Sequence, residues 1–195
     1  MSPRAGLDTH TLVLAAAEIA DEQGIEEVTL AALAARLGVR SPSLYNHING
    51  LQGLRSLLAV HGLELLNAAI TAASEGLKGD AAIHAMGQAY VDFARKHPGL
   101  YETTLRAPEE GNSKLVRASE QVLSLIIRLL SCYELDAEDE LHAVRGLRSL
   151  LHGFAALENK GGFGMPLDTN ISLNWLISAF IAGIRSKSSN TGTGQ

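Results

Sequence analysis

Apolar residues return every three or four positions along nearly the whole chain, and strand-like alternation is absent. Leu12, Ala16, Ile19 and Ala20 set one apolar stripe on a first helix, capped by Asp8 or Thr9 and stopped by Gly24 after Gln23. Thr29 caps a second helix, Leu30 to Leu37, which Gly38 ends. Ser41-Pro42 opens a short third helix that ends near His47. Serine there accepts a bond from a free backbone amide, and proline at the first helical position sacrifices no ladder bond. Asn49-Gly50 starts a long fourth helix reaching Ser74.

The second half of the chain is punctuated in the same way. After a break at Gly76 to Asp80, a fifth helix runs to Lys96, and His97-Pro98 stops it and seeds a sixth through Leu105. Pro108 to Asn112 is a loop. Leu115, Ala118, Val122, Leu125, Ile126 and Leu129 trace one face of a seventh helix, and Asp136 begins an eighth that reaches Glu158. Gly161, Gly162, Gly164 and Pro166 form a loop before a ninth, Thr169 to Arg185. The pattern predicts an all-α protein of about nine helices. Its last ten residues, 186–195, are mostly Ser, Thr, Gly and Asn and read as a disordered tail.

Composition narrows the class. With 195 residues, 46% apolar and 19% charged, the chain can bury a core and is not globally disordered. Cys132 is its single cysteine, so an internal disulfide framework is excluded and a reducing, cytoplasmic setting is expected. Met1 to Gly6 lack the build of a signal peptide, and the apolar stretch Ile171 to Ile184 is interrupted and short for a bilayer, so no membrane partner is expected. The net charge of −5 opposes nucleic-acid binding, but its distribution offsets this in part. Residues 1–27 carry six acids, whereas none lies between Val28 and Gly62, where Arg36, Arg40 and Arg55 occur with His47 and His61.

The stretch Thr29 to Ile48 has helix-turn-helix form, two short helices joined through Gly38-Val39-Arg40. Leu33 and Val39 must face inward to set the crossing, Ala34 permits close approach, and Gly38 supplies the turn. Such a unit offers the front of its second helix to the major groove.

The run Gly24-Ile25-Glu26-x-x-Thr29-x-x-x-Leu33-Ala34-x-x-Leu37-Gly38-Val39-x-x-Pro42-x-Leu44-Tyr45-x-His47 resembles the TetR family of transcriptional regulators, most densely over residues 12–58. Arg148-x-x-Leu151-His152-Gly153-Phe154-Ala155-Ala156-Leu157-Glu158 is similar to a subgroup with a Trp-His-Gly-type signature, leucine standing where tryptophan is frequent. The resemblance implies a DNA-binding domain at 7–53, with its motif at 29–48, and a ligand-binding and dimerisation domain at 54–185. It also implies a repressor that binds a palindromic operator in double-stranded DNA as a homodimer and responds to a small-molecule effector.

Carried over by position, Thr29 would bond a phosphate from the start of the second helix, while Ser41, Pro42, Ser43 and Asn46 would lie in the major groove. Tyr45 and His47 would clamp phosphates, with Arg40 nearby, and Leu44 would pack beneath. Two departures remove cations: Leu51 stands where many relatives have lysine, and Ala31 where arginine is common in some. Arg36, Arg40 and Arg55 are candidates to compensate.

The ninth helix is apolar nearly all round, which asks for cover on several sides. Trp175 and Phe180, with Val144, Leu147, Leu151 and Phe154 of the eighth helix, are the candidate interface with a second copy. The resemblance implies an effector pocket among the fourth to eighth helices, with Met86, Tyr90, Phe93, Tyr101, His152 and Phe154 as candidate lining, and the scarcity of charge there favours an uncharged or weakly polar ligand.

Two other classes compete. Glu138, Asp139 and His142 share one turn, but acids at a helix start offset its dipole, and neither a metal site nor a cofactor or catalytic residue is expected. An all-α enzyme is thus the weaker rival. A dimeric small-molecule-binding protein with weakened DNA binding is the stronger one, on account of Leu51 and Ala31.

Overall fold

The computed structural model describes residues 7–108 and 111–190, with side chains through Lys187. Among them are eight α-helices and no strand: α1 (Thr9–Gln23), α2 (Leu30–Leu37), α3 (Gly50–Ser74), α4 (Gly79–Lys96), α5 (Pro98–Thr103), α6 (Ser113–Leu130), α7 (Ala137–Asn159) and α8 (Thr169–Asn190). Short 3-10 segments occupy Ile25–Glu27, Ser41–Asn46 and Ser131–Tyr133. The expected third helix is therefore the 3-10 segment Ser41–Asn46, and with it the expected nine are all present.

Its geometry has a local cause. Pro42 has no N–H to donate, and six residues leave little room for a ladder of i to i−4 bonds. The Ser43 amide and hydroxyl instead both donate to the carbonyl of Arg40, at 2.9 and 2.7 Å, and the His47 amide donates to Leu44 at 2.9 Å. Arg40, not Ser41, holds the cap position, and no side chain caps the segment. Elsewhere the caps are those expected. Asp8 accepts from the Thr11 amide at 2.7 Å, Thr29 from Ala32 at 3.0 Å, and Asp136 from Glu138 and Asp139 at 3.0 and 2.8 Å.

The chain divides into two compact units, one built from the described residues of Met1–Glu64 and Lys96–Ser119, the other from those of Leu65–Arg95 and Glu120–Gln195. In the first, Leu12, Ile19, Leu33, Leu44, Leu54 and Leu58 are fully buried. Gly99 of α5 lies so close to α1 that an added Cβ would stand 1.9 Å from the Ala20 carbonyl oxygen, so only glycine permits that crossing. Asp21 of α1 accepts from the Leu100 amide and pairs with the His97 ring, both at 2.8 Å.

In the second unit Ile83, Met86, Val91, Leu147, Leu151, Leu173 and Ile177 form the core. Arg95 of α4 grips Glu158 of α7 with two bonds, at 2.6 and 2.9 Å, and also reaches Asp92 and Asn170. This bonding holds the Glu158 carboxyl below its ordinary range and raises the arginine. Asp80 accepts from Tyr133 and Arg185 together, at 2.9 and 2.6 Å, while burial first and this bond second push the tyrosine hydroxyl up.

The two long C-terminal elements depart from a simple reading. Helix α8 continues through Asn190, past the expected end at Arg185, and residues 191–195 of the expected tail lie outside the described residues. Helix α3 is long and apolar enough, by length and composition, to cross a bilayer. It nevertheless carries Arg55, His61, Glu64 and Asn67, and buries Leu54, Leu58, Leu63, Leu66 and Ile70 in protein.

Candidate nucleic-acid interface

Thr29 fixes where α2 starts, and Gly38 fixes where it stops. At φ 64 Gly38 sits in the left-handed region, and the next amide, Val39, turns back to the Ala34 carbonyl at 3.0 Å. Leu33 and Ala34 are buried on the inner face of α2. The 41–46 segment then hangs on one residue. Leu44 is completely buried, and its neighbour Tyr45 is 60% exposed.

Around that anchor the expected contact residues fall on the outside. Thr29, Arg40, Pro42, Tyr45 and Asn46 are exposed, while Ser41, Ser43 and His47 are half-exposed. None is buried. The Thr9 hydroxyl donates to the His47 carbonyl at 3.4 Å and so ties the start of α1 to the end of the segment. That tie spans 38 residues, and no local signal in the sequence marks it. Asn49 and Gln52, exposed where α3 begins, are further polar groups of this surface that motif reading passed over.

The charges are less favourable than the sequence suggests. Arg36 is bound by Glu22 and by Glu18, the latter at 3.1 Å. The Glu22 bond raises the arginine and holds the glutamate below its ordinary range. Arg55 pairs with Glu26 at 3.4 Å. The acids of the first 27 residues thus fold back onto two of the three arginines. Arg40 alone of the three has no acidic partner among the described residues. Leu51, in the place of a frequent lysine, is half-buried.

The other candidate residues are distributed between the units. Met86, Tyr90, Phe93 and Phe154 are buried in the second, where His152 is half-buried, whereas Tyr101 is buried in the first. Phe154 packs on Phe163 with ring centroids 4.9 Å apart. Of the candidate dimer residues, Val144, Leu147, Leu151 and Phe154 are buried within the unit. Trp175 is 72% exposed and Phe180 half-exposed.

Both the sequence and the fold match known proteins. The family model for bacterial regulatory proteins of the tetR family matches residues 12–48, and that for the tetracyclin repressor-like C-terminal domain matches residues 83–180. The HTH-type transcriptional regulator YobS of Bacillus subtilis is 45% identical over 94% of this chain and 96% of its own. The chain belongs to the TetR family.

As a TetR-family member it is a helix-turn-helix transcriptional regulator, and the matched stretch 12–48 contains the whole exposed row from Thr29 to His47. Solved structures agree in fold. A TetR variant from Acinetobacter baumannii, in complex with minocycline, has a TM-score of 0.71 at 21% identity, covering 94% of this chain and 99% of that one. BioQ with its double-stranded DNA operator has a TM-score of 0.65 at 23% identity, covering 91% and 99%.

Proposed function

We propose that this TetR-family regulator is a cytoplasmic, non-enzymatic repressor that reads a palindromic operator as a homodimer and responds to a small-molecule effector. The observation that carries the DNA reading is the pairing of Leu44 with Tyr45. One is wholly buried, the other exposed beside Pro42, Asn46 and Arg40. The segment is held rigidly from below and is free above. Short polar side chains at such a turn reach base edges, and a tyrosine hydroxyl reaches phosphate. The structural relative bound to its operator supports this use of the fold.

A second copy is the reading that best suits α7 and α8. Leu173, Ile177, Ile181 and Ile184 bury one side of α8, but Ile171 and Trp175 stand 70% and 72% exposed, and Leu141 of α7 is 49% exposed. Apolar area of that kind is covered in stable oligomers. A two-fold pairing would duplicate the reading surface and match a palindrome. An effector shifts DNA occupancy only by its difference in affinity between the free and bound forms, tenfold for each ~1.4 kcal/mol.

Selection of bound duplexes from a random pool, with sedimentation of the same protein, tests the proposal. A defined palindrome and a dimer are expected; a folded monomer that enriches no sequence at low salt would refute it. One rival has its own support. Arg36 and Arg55 are paired with glutamates and Leu51 replaces a cation, which favours a dimeric small-molecule-binding protein with weakened DNA binding. A folded dimer that selects no DNA at low salt would favour that reading.

A further inference from the structure

Within the second unit, the last turns of α3, the turn into α4 and the end of α6 flank a half-open groove of about 780 Å³, within the size range of small-molecule sites. It is not the pocket expected from the family resemblance, since none of the six residues named for that pocket borders it. Leu77, Leu125 and Leu129 give it apolar walls. Lys78 and Arg128 also line it, both exposed and both without an acidic partner among the described residues. Glu75 is the opposing charge in the lining, which leaves an excess of one positive charge.

A third feature is a buried acceptor. Asn67 belongs to the same lining, and its side-chain oxygen is shut off from solvent and accepts no hydrogen bond among the described residues. A buried amide oxygen left without a donor is costly, and an incoming hydroxyl or N–H relieves that cost. Leucine walls, two uncommitted cations and one buried acceptor define a chemistry. We infer that the groove binds a small amphipathic acid whose chain lies on the leucines and whose anionic head meets Lys78 and Arg128. A hydroxyl or N–H near that head donates to the Asn67 oxygen once the amide turns that oxygen into the groove. The site lies wholly in the second unit and does not depend on the DNA reading.

The chain supplies its own reporter. Cys132, its single cysteine, is exposed and lines the groove. Alkylation of this thiol by neutral iodoacetamide, without DNA, is measured on the full chain with 3-hydroxydecanoate, decanoate and 1,3-decanediol as probes. Rates with and without probe are compared within each variant, after thermal unfolding shows that the variant retains the native transition.

Saturable protection by 3-hydroxydecanoate is expected, with decanoate weaker by about fivefold for the missing donor and the uncharged diol weaker still. Lys78→Ala with Arg128→Ala changes two exposed side chains and is expected to weaken protection about tenfold. Asn67→Leu is expected to remove the preference for the hydroxy acid over decanoate. No protection at about 1 mM hydroxy acid, equal protection by the diol, undiminished protection in the double variant, or a hydroxyl preference that survives Asn67→Leu would each overturn the assignment.

Discussion

Asp21 on α1 holds the His97 ring with one carboxylate oxygen and the Leu100 amide with the other, each at 2.8 Å, across 76 and 79 residues of sequence. One side chain thereby caps the start of α5 and docks it on α1, where Gly99 touches the Ala20 carbonyl. Asp21→Ala leaves the Leu100 amide unmet and is expected to cost about 1.5–3 kcal/mol in urea unfolding. Gly99→Ala forces backbone against backbone and is expected to cost more. Gly87→Ala meets side-chain atoms of Ile177, at 2.5 Å, and Leu151, at 3.3 Å, rather than backbone, and should be milder.

Leu44 and Tyr45 are adjacent but should fail differently. Leu44→Ala empties a fully buried site and is expected to lower stability by about 2–5 kcal/mol. Tyr45→Phe removes only an exposed hydroxyl, so unfolding should be unchanged while operator affinity falls by about 0.5–1.5 kcal/mol. Loss of stability without loss of affinity in Tyr45→Phe would contradict the assignment.

The three arginines separate by salt dependence. Arg40→Ala should reduce the slope of log K against log salt by about 0.9 if it meets one phosphate. Arg36, held by Glu18 and Glu22, should leave that slope unchanged when replaced by alanine. Equal effects at both positions would show that the ion pairs of Arg36 open on DNA.

Burial lowers the tendency of His61 to take a proton, aided by the charges of His10 and His97 and opposed by Glu64. The unfolded chain therefore binds more protons at this position than the folded one just below about pH 6.5. The contribution to stability is present above that pH and is lost as pH falls through the lower folded value. His61→Gln should flatten the stability profile between about pH 7 and pH 5. Glu22 and Glu158, both held low by arginine, place their losses at more acidic pH.

Trp175 reports on assembly. Trp175→Lys adds a charge to an exposed apolar position, so the monomer should keep its fold. Sedimentation should then show dissociation at concentrations where the native chain is dimeric. A native monomer, or a dimer untouched by the substitution, would remove Trp175 from the interface.

Much of the fold was written locally. Periodicity, Asp8, Thr29 and Asp136 as caps, and Gly24 and Gly38 as stops set the helices within a few residues, because each acts through the backbone of its own turn. That Leu44 lies inside and Tyr45 outside agrees with what the family resemblance implied for those positions. What tertiary structure alone decided was pairing at a distance. That Glu18, Glu22 and Glu26 pair with Arg36 and Arg55, that Asp21 caps α5, and that Asn67, Lys78 and Arg128 line one groove depend on folded positions. A charge count along the chain carries no distances, angles or burial, and Coulomb and hydrogen-bond energies depend on all three.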